Sequence, residues 1–180
     1  FMTDNGTAGG NSMAIDGVPA EGQGFNAGMR GKKGASYDGG HRVPFFLSWP
    51  GGGLEGGRDV AKLAAHLDVL PTLIDLCGLS ANPRLEGVSL LPLLKNPNAD
   101  WEHVAISTRG QNNHAVRDQR WRYIRYADGS EELYDHQTDP NEWKNLAAES
   151  PTPSHAKVIA QLKKLLPKTN ATQRGNEPKK

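Results

Sequence analysis

The chain has 180 residues and a formal net charge of +1, with lysines and arginines spread along it, so no polyanion partner such as nucleic acid is implied. No apolar run is long enough to span a bilayer. The single cysteine, Cys77, excludes an internal disulfide framework and a CxxC metal site. Glycine is abundant and crowds the first third, from Gly6 to Gly57. A free-standing domain rarely opens on so long a loop so poor in apolar residues, so this region is expected to lie on a body outside these residues.

In chain order, residues 1–3 read as the tail of a buried strand. Asp4-Asn5-Gly6 has two readings. It is a tight turn, because Asn and Gly tolerate positive φ, or a strand tip that presents oxygens to a hard cation. Residues 6–42 read as an extended glycine-rich loop. "VPFFLSWPG" follows as a short buried strand closed by Pro50-Gly51, and "KLAAHL" as another strand or strand end. Asp68 is the expected N-cap of "VLPTLIDLCG", with Pro71 in the first turn and Gly78 at C′. Val69, Leu70, Leu73, Ile74 and Leu76/Cys77 form its apolar stripe. "LEGVSLLPLLKNP" predicts a turn and a short docking helix.

From about Trp101 the pattern changes. "HVAISTR", "NHAVRD", "RWRYIRYA" and "EELYDH" are short strands separated by turn chemistry, an antiparallel meander. "AKVIAQLKKLL" predicts one amphipathic helix with Val158, Ile159, Leu162, Leu165 and Leu166 on one side and Ser154 as its N-cap. The tail from Pro167 is polar and expected to be disordered. The fold class is α/β: the last part of a sheet domain over 1–98, a small α+β subdomain of four antiparallel strands and a helix over 99–166, and a tail over 167–180.

Arg30, Lys32 and Lys33 sit among glycines in "MRGKKGASYDGGHR". Small neighbours let such cations approach an anion closely; the alternative is a solvated basic turn. The order of motifs adds to this: "TDNG", a glycine-rich loop, "RGKKGASYDGGHRVP", a strand ending "WPGG", "HLDVLPTLIDLCGL", "LEGVSLLPLL", "ELYDHQTDPNEWKNLA". Over residues 1 to about 150 this series resembles the C-terminal half of a type I sulfatase, a family with the alkaline-phosphatase-like fold. The resemblance implies that Asp4 and Asn5 ligate a divalent cation, Ca²⁺ or alternatively Mg²⁺, and that Lys33 contacts the substrate sulfate as the catalytic cation. Lys32 stands where many members have Gly, which leaves the register open by one residue. Arg30 is implied to support the loop and is also a candidate for substrate contact.

The implied nucleophile is a formylglycine made from a Cys in a C-x-P-S-R motif. That motif is absent here, and Cys77 reads as core packing. The chain is therefore read as the C-terminal portion of a larger sulfuric ester hydrolase, inactive by itself and open to self-association through bare strand faces around Phe45, Phe46 and Leu47. The implied substrate is a sulfated small molecule or carbohydrate, with carbohydrate preferred, and the implied location is periplasmic or secreted. His41 and His114 are further candidates for substrate contact, His114 together with Asn113; His41 also reads as a structural residue of the loop-to-strand junction. His66 reads as structural, and "LYDHQTDPNEW" as a turn with Tyr134, Trp143 and Leu146 as packing anchors. Two alternatives stay open: a phosphonate or phosphate monoesterase of the same superfamily, and a non-catalytic, degenerate binding domain.

Overall fold

The computed structural model describes residues 1–8, 14–15, 18–19, 27–148 and 150–170; the expected disorder of 171–180 and much of the expected loop lie outside these. The chain packs as two compact units. One holds Phe1–Asp4 and Val43–Ala105, the other Asn5–Arg42 and Ile106–Lys180. Among the described residues no helix is long and apolar enough to cross a membrane.

In the first unit the expected buried strand over 43–51 is not formed. Phe45 and Trp49 make only isolated antiparallel bridges, to Met2 and Leu54, and Phe46 is 65% exposed and Phe1 80%. The expected buried strand tail at 1–3 is corrected likewise. An apolar run becomes a buried strand only where neighbours cover it, and in this unit the Phe1 and Phe46 rings face each other at 6.2 Å and otherwise meet solvent. "KLAAHL" is coil leading into a 3₁₀ turn, His66–Asp68.

Asp68 stands at the N-cap position of α2, Val69–Leu76, as expected, but its backbone is already helical (φ −79°, ψ −16°) and its side chain caps no amide of that helix. Its carboxylate reaches back instead: Oδ2 accepts from the Ala65 amide at 2.6 Å, and Oδ1 from the Val88 amide at 2.9 Å. His103 Nε2 lies 2.9 Å from Oδ2 as an ion-pair contact, off the line of a well-formed hydrogen bond. The helix ends as expected. Gly78 (φ +63°) donates to Asp75 and Leu79 to Ile74, a Schellman closure. Cys77, expected in the core, is exposed, because the buried side of this short helix is carried by Thr72, whose hydroxyl accepts from the Leu90 amide. The docking helix α3, Leu91–Lys95, buries Leu93.

The second unit carries the predicted meander. A two-residue ladder, β1 (Ala14–Ile15) with β2 (Val18–Pro19), and one helical turn, α1 (Asp38–His41), come first. Then β3 (Ala105–Thr108), β4 (His114–Arg117), β5 (Trp121–Arg125) and β6 (Glu131–Asp135) pair in sequence order as one sheet. Helix α4, Pro153–Lys163, is capped by Thr152, whose hydroxyl accepts from His155. The cap falls two residues before Ser154 because Pro153, with no N–H and a preset φ, takes the first helical position.

The register sorts the side chains. Val116 faces Tyr123 and Tyr123 faces Leu133, on the side where Trp121 meets His155 of α4 and Glu131 pairs with Lys163. Ala115 faces Ile124, and Arg117, Arg122 and Tyr134 are matched on the opposite side. There Tyr37, from the segment before α1, packs on the Ala115, Ile124 and Tyr134 cluster. Both sides of the sheet are therefore covered.

The glycines of the loop mark a backbone-on-backbone crossing. Gly6 donates to the Gly40 carbonyl at 3.0 Å, and Gly39 to the Arg30 carbonyl at 2.9 Å. A Cβ at Gly6 would overlap the Gly39 carbonyl, one at Gly39 the Arg30 and Gly31 carbonyls, and one at Gly40 the Ala35 carbonyl. No flexible side chain is available to yield. Gly39→Ala is expected to lower unfolding free energy by about 2 kcal/mol or more. Gly51→Ala, whose nearest neighbour would be Trp49 Nε1 at 3.8 Å, should stay within about 1 kcal/mol of wild type. Urea unfolding of the two variants side by side checks the contrast.

Candidate functional site

Lys33 is placed by the same crossing. Its amide donates to the Thr7 carbonyl at 2.9 Å, two residues after Asn5. Ala35 donates back to Lys32 at 2.8 Å, closing a four-residue turn with Gly34 in its third position at φ +86°. A turn with positive φ there requires glycine, which puts Lys33 at the corner ahead of it. Both Lys32 and Lys33 are exposed. Asn5 is half-buried and opens the second unit; Asp4 is exposed and ends the first segment of the other. Both offer hard oxygen donors, the kind Ca²⁺ and Mg²⁺ take, though two are fewer than a full shell of about six to eight.

Arg30 and His41 point elsewhere. The Arg30 guanidinium lies 4.0 Å over the Tyr37 ring and donates to Tyr134 Oη at 2.9 Å and to the Glu142 carbonyl at 2.8 Å. Tyr134 donates to Glu132 at 2.7 Å, and Tyr37 to the same carboxylate at 3.1 Å. Burial, then the Glu132 charge, pushes the Tyr134 phenol far above its ordinary range, so it stays a donor.

His41 sits in a buried ionic cluster. Arg122, 1% exposed, is paired to Glu142 through Nε and to Asp38 through Nη2, and its Nη1 donates to His41 Nε2 at 2.6 Å. Glu142, fully buried, also meets His136 Nε2 at 2.8 Å and accepts from the Asp38 amide at 2.8 Å. Asp38, His136 and Glu142 offer ligand atoms within 4.8 Å of one another, as a metal site would. The donor set does not fit one, because a guanidinium already lies on both carboxylates. The cluster ties α1 to β5 and to the turn after β6. Burial pushes the Asp38 carboxyl up, but Arg122, His136 and Arg42 outweigh it and hold it below the usual range. Burial, then Arg122, lowers His41 from its ordinary 6.5 to about 4.

His114 lies on the α4 side of the sheet, 4% exposed, with Nδ1 2.9 Å from Thr108 Oγ1. Asn113 is engaged at both ends of its amide, by the Ala127 amide and the Gln111 carbonyl. The structure thus brings Lys33 to the segment that follows Asn5, turns Arg30 and His41 into the loop's own anchorage, and sets His114 on the other face of the sheet. The cluster around Arg122 and Glu142 was not foreseen from sequence.

Residues 31–172 match the family N-sulphoglucosamine sulphohydrolase, C-terminal. The chain belongs to this sulfatase family. It is 40% identical over 151 residues to a sulfatase of Formosa agariphila, which covers 83% of this chain and 29% of that protein. It is 35% identical over 148 residues to a Delta 4,5-hexuronate-2-O-sulfatase of Bacteroides thetaiotaomicron, 72% of this chain and 28% of that protein. The crystal structure of Ps i-CgsB aligns with TM-score 0.67 over 92% of this chain and 34% of the other at 21% identity, which shows the shared fold, the C-terminal part of the alkaline-phosphatase-like architecture. The chain spans under a third of the length of these curated sulfatases.

Two outcomes test the anchorage of the sulfatase loop. Because the unfolded chain binds the His41 proton more readily, His41 contributes stability that is complete above pH 6.5 and is lost as pH falls toward about 4. Thermal unfolding across that interval should show the loss, and His41→Gln should flatten it; an unchanged slope would refute the assignment. Glu142→Ala strands a buried guanidinium and is expected to cost about 3–5 kcal/mol, with Glu142→Gln, which keeps an acceptor, costing less. Chemical denaturation ranks the two.

Proposed function

We propose that this chain is the C-terminal part of a sulfuric ester hydrolase acting on a sulfated carbohydrate. The observation that supports the reading is the crossing that seats the Lys33 corner on Thr7, two residues after Asn5. The similarity to a Delta 4,5-hexuronate-2-O-sulfatase supports a sulfated uronate or related sugar as substrate.

In this reading Lys33 holds a sulfuryl oxygen while charge redistributes during S–O cleavage. Its corner position matters because the fixed backbone narrows the region its ammonium can occupy, which limits reorganisation as the bond breaks. Asp4 and Asn5 hold a divalent cation, Ca²⁺ or Mg²⁺, with oxygens from outside these residues. When bound, that ion supplies further positive charge to the sulfate. Arg30 touches no substrate; stacked on Tyr37 and bonded to Tyr134 and the Glu142 carbonyl, it stiffens the chain just before the Lys33 turn. The 180 residues contain no C-x-P-S-R motif for the formylglycine, so turnover is expected only of a protein that supplies it.

The test is made in the full-length enzyme. Lys33→Ala should lower turnover of a sulfate ester about a hundredfold to a thousandfold while leaving the melting temperature nearly unchanged, because the side chain is exposed. Lys32→Ala should do much less. A reversed pair of effects would move the sulfate contact to Lys32, and rate constants untouched by either change would remove it from this turn.

A further inference from the structure

A second cation, Arg109, stands beside the Lys33 turn. Arg109 follows β3, in the hairpin to β4, where its amide donates to the Asn113 carbonyl at 3.0 Å. Its guanidinium rests against the backbone of Gly34. A Cβ built at Gly34 would stand 3.4 Å from Cζ, 3.5 Å from Nη2 and 3.6 Å from Nε. Gly34 is required by its φ of +86°, and the guanidinium lies at van der Waals distance from this residue, the one that follows Lys33.

Other arginines of this unit are engaged. Arg122 is held by Asp38 and Glu142, Arg120 by Asp135, Arg42 by Asp38, and Arg30 by Tyr134 and the Glu142 carbonyl. Arg109 and Lys33 are both exposed, and neither has a carboxylate partner among the described residues. The Arg109 guanidinium lies beside the residue that follows Lys33, so a ligand bearing two negative groups has a cation within reach for each. Lysine serves as a point charge, whereas the flat fork of arginine matches a carboxylate or a sulfate through two parallel N–H bonds.

We propose that Arg109 determines specificity by binding a second anionic group of the substrate, a ring carboxylate or a second sulfate, on the sugar whose scissile sulfate Lys33 holds. This rests on the sulfatase reading of Lys33. The selection is made in binding: a sugar with a single negative charge leaves the guanidinium in water and gains nothing from it, while a dianionic sugar occupies both cations at once. Arg109 then acts on KM more than on kcat, since its partner group takes no part in bond cleavage.

The experiment uses the full-length enzyme and three probes with the sulfate at the same ring position: a neutral sugar monosulfate, the matching uronate monosulfate, and a disulfated neutral sugar. Arg109→Ala is expected to raise KM about tenfold on a probe with a second anion, with kcat within about twofold, and to change the neutral monosulfate by less than about twofold. Arg109→Lys should recover part of the loss. Selective loss on the uronate identifies the partner as carboxylate, and selective loss on the disulfate as sulfate. Equal loss on all three probes, no loss on any, or a wild-type preference for the neutral monosulfate would overturn the proposal while leaving the sulfatase reading intact. A wild-type enzyme inert toward all three would overturn both.

Discussion

The second unit depends on one buried guanidinium. Arg122 projects from the middle of β5 into a space that excludes water, and it is tolerable there only because Asp38 and Glu142 close around it. Glu142 is the hub: its two oxygens face Arg122, His136 and the Asp38 amide, and its backbone carbonyl receives Arg30. It reaches this position from a turn with φ +63°, a conformation that side-chain-bearing residues adopt sparingly. A loop rich in glycine has little apolar surface with which to dock. Here directional ion pairs and a tyrosine–arginine stack do what hydrophobic packing does elsewhere in the unit.

That substitution carries an energetic signature. Hydrophobic docking tolerates small slips, whereas a guanidinium shared by two carboxylates has essentially one good geometry. Whether the cluster adds net stability over an apolar equivalent is a separate question from what it specifies. What it specifies here is the position of α1, and through the Gly39–Arg30 and Gly40–Gly6 hydrogen bonds the path of the chain on either side of the Lys33 turn.

The meander and the C-terminal helix were legible because their signals are local: alternation, turn residues and a 3.6-residue period. Lys33 and its neighbours were legible as a motif, and the glycine at the third turn position explains why one of the two lysines occupies the corner. Arg122 was not legible. In "RWRYIRYA" an arginine between aromatics reads as the solvent side of an alternating strand, and nothing local reveals that a distant loop covers that side. Glu142 was hidden for a related reason, since "DPNEW" carries turn chemistry and turns are ordinarily wet. The strand expected at 43–51 failed because an apolar run states a need for cover without saying where the cover comes from. Ser154 was displaced as a cap by the proline before it, while Asp68 keeps the position ahead of its helix and turns its side chain back to Ala65 and Val88.

The hydrogen bonds at the foot of the loop have a consequence for how such a protein can change. The chain leaves the crossing at Thr7 and is back in it by Arg30, whose carbonyl accepts from Gly39, and Thr7 is joined to Lys33 by a backbone hydrogen bond. Both ends of the intervening stretch are fixed. The entropic penalty of lengthening such a stretch grows only logarithmically, at about 0.6 kcal/mol for each doubling. Insertions and deletions between Thr7 and Arg30 can therefore accumulate while the cationic corner stays where it is, so that one fixed corner can come to be surrounded by loops of very different length and character.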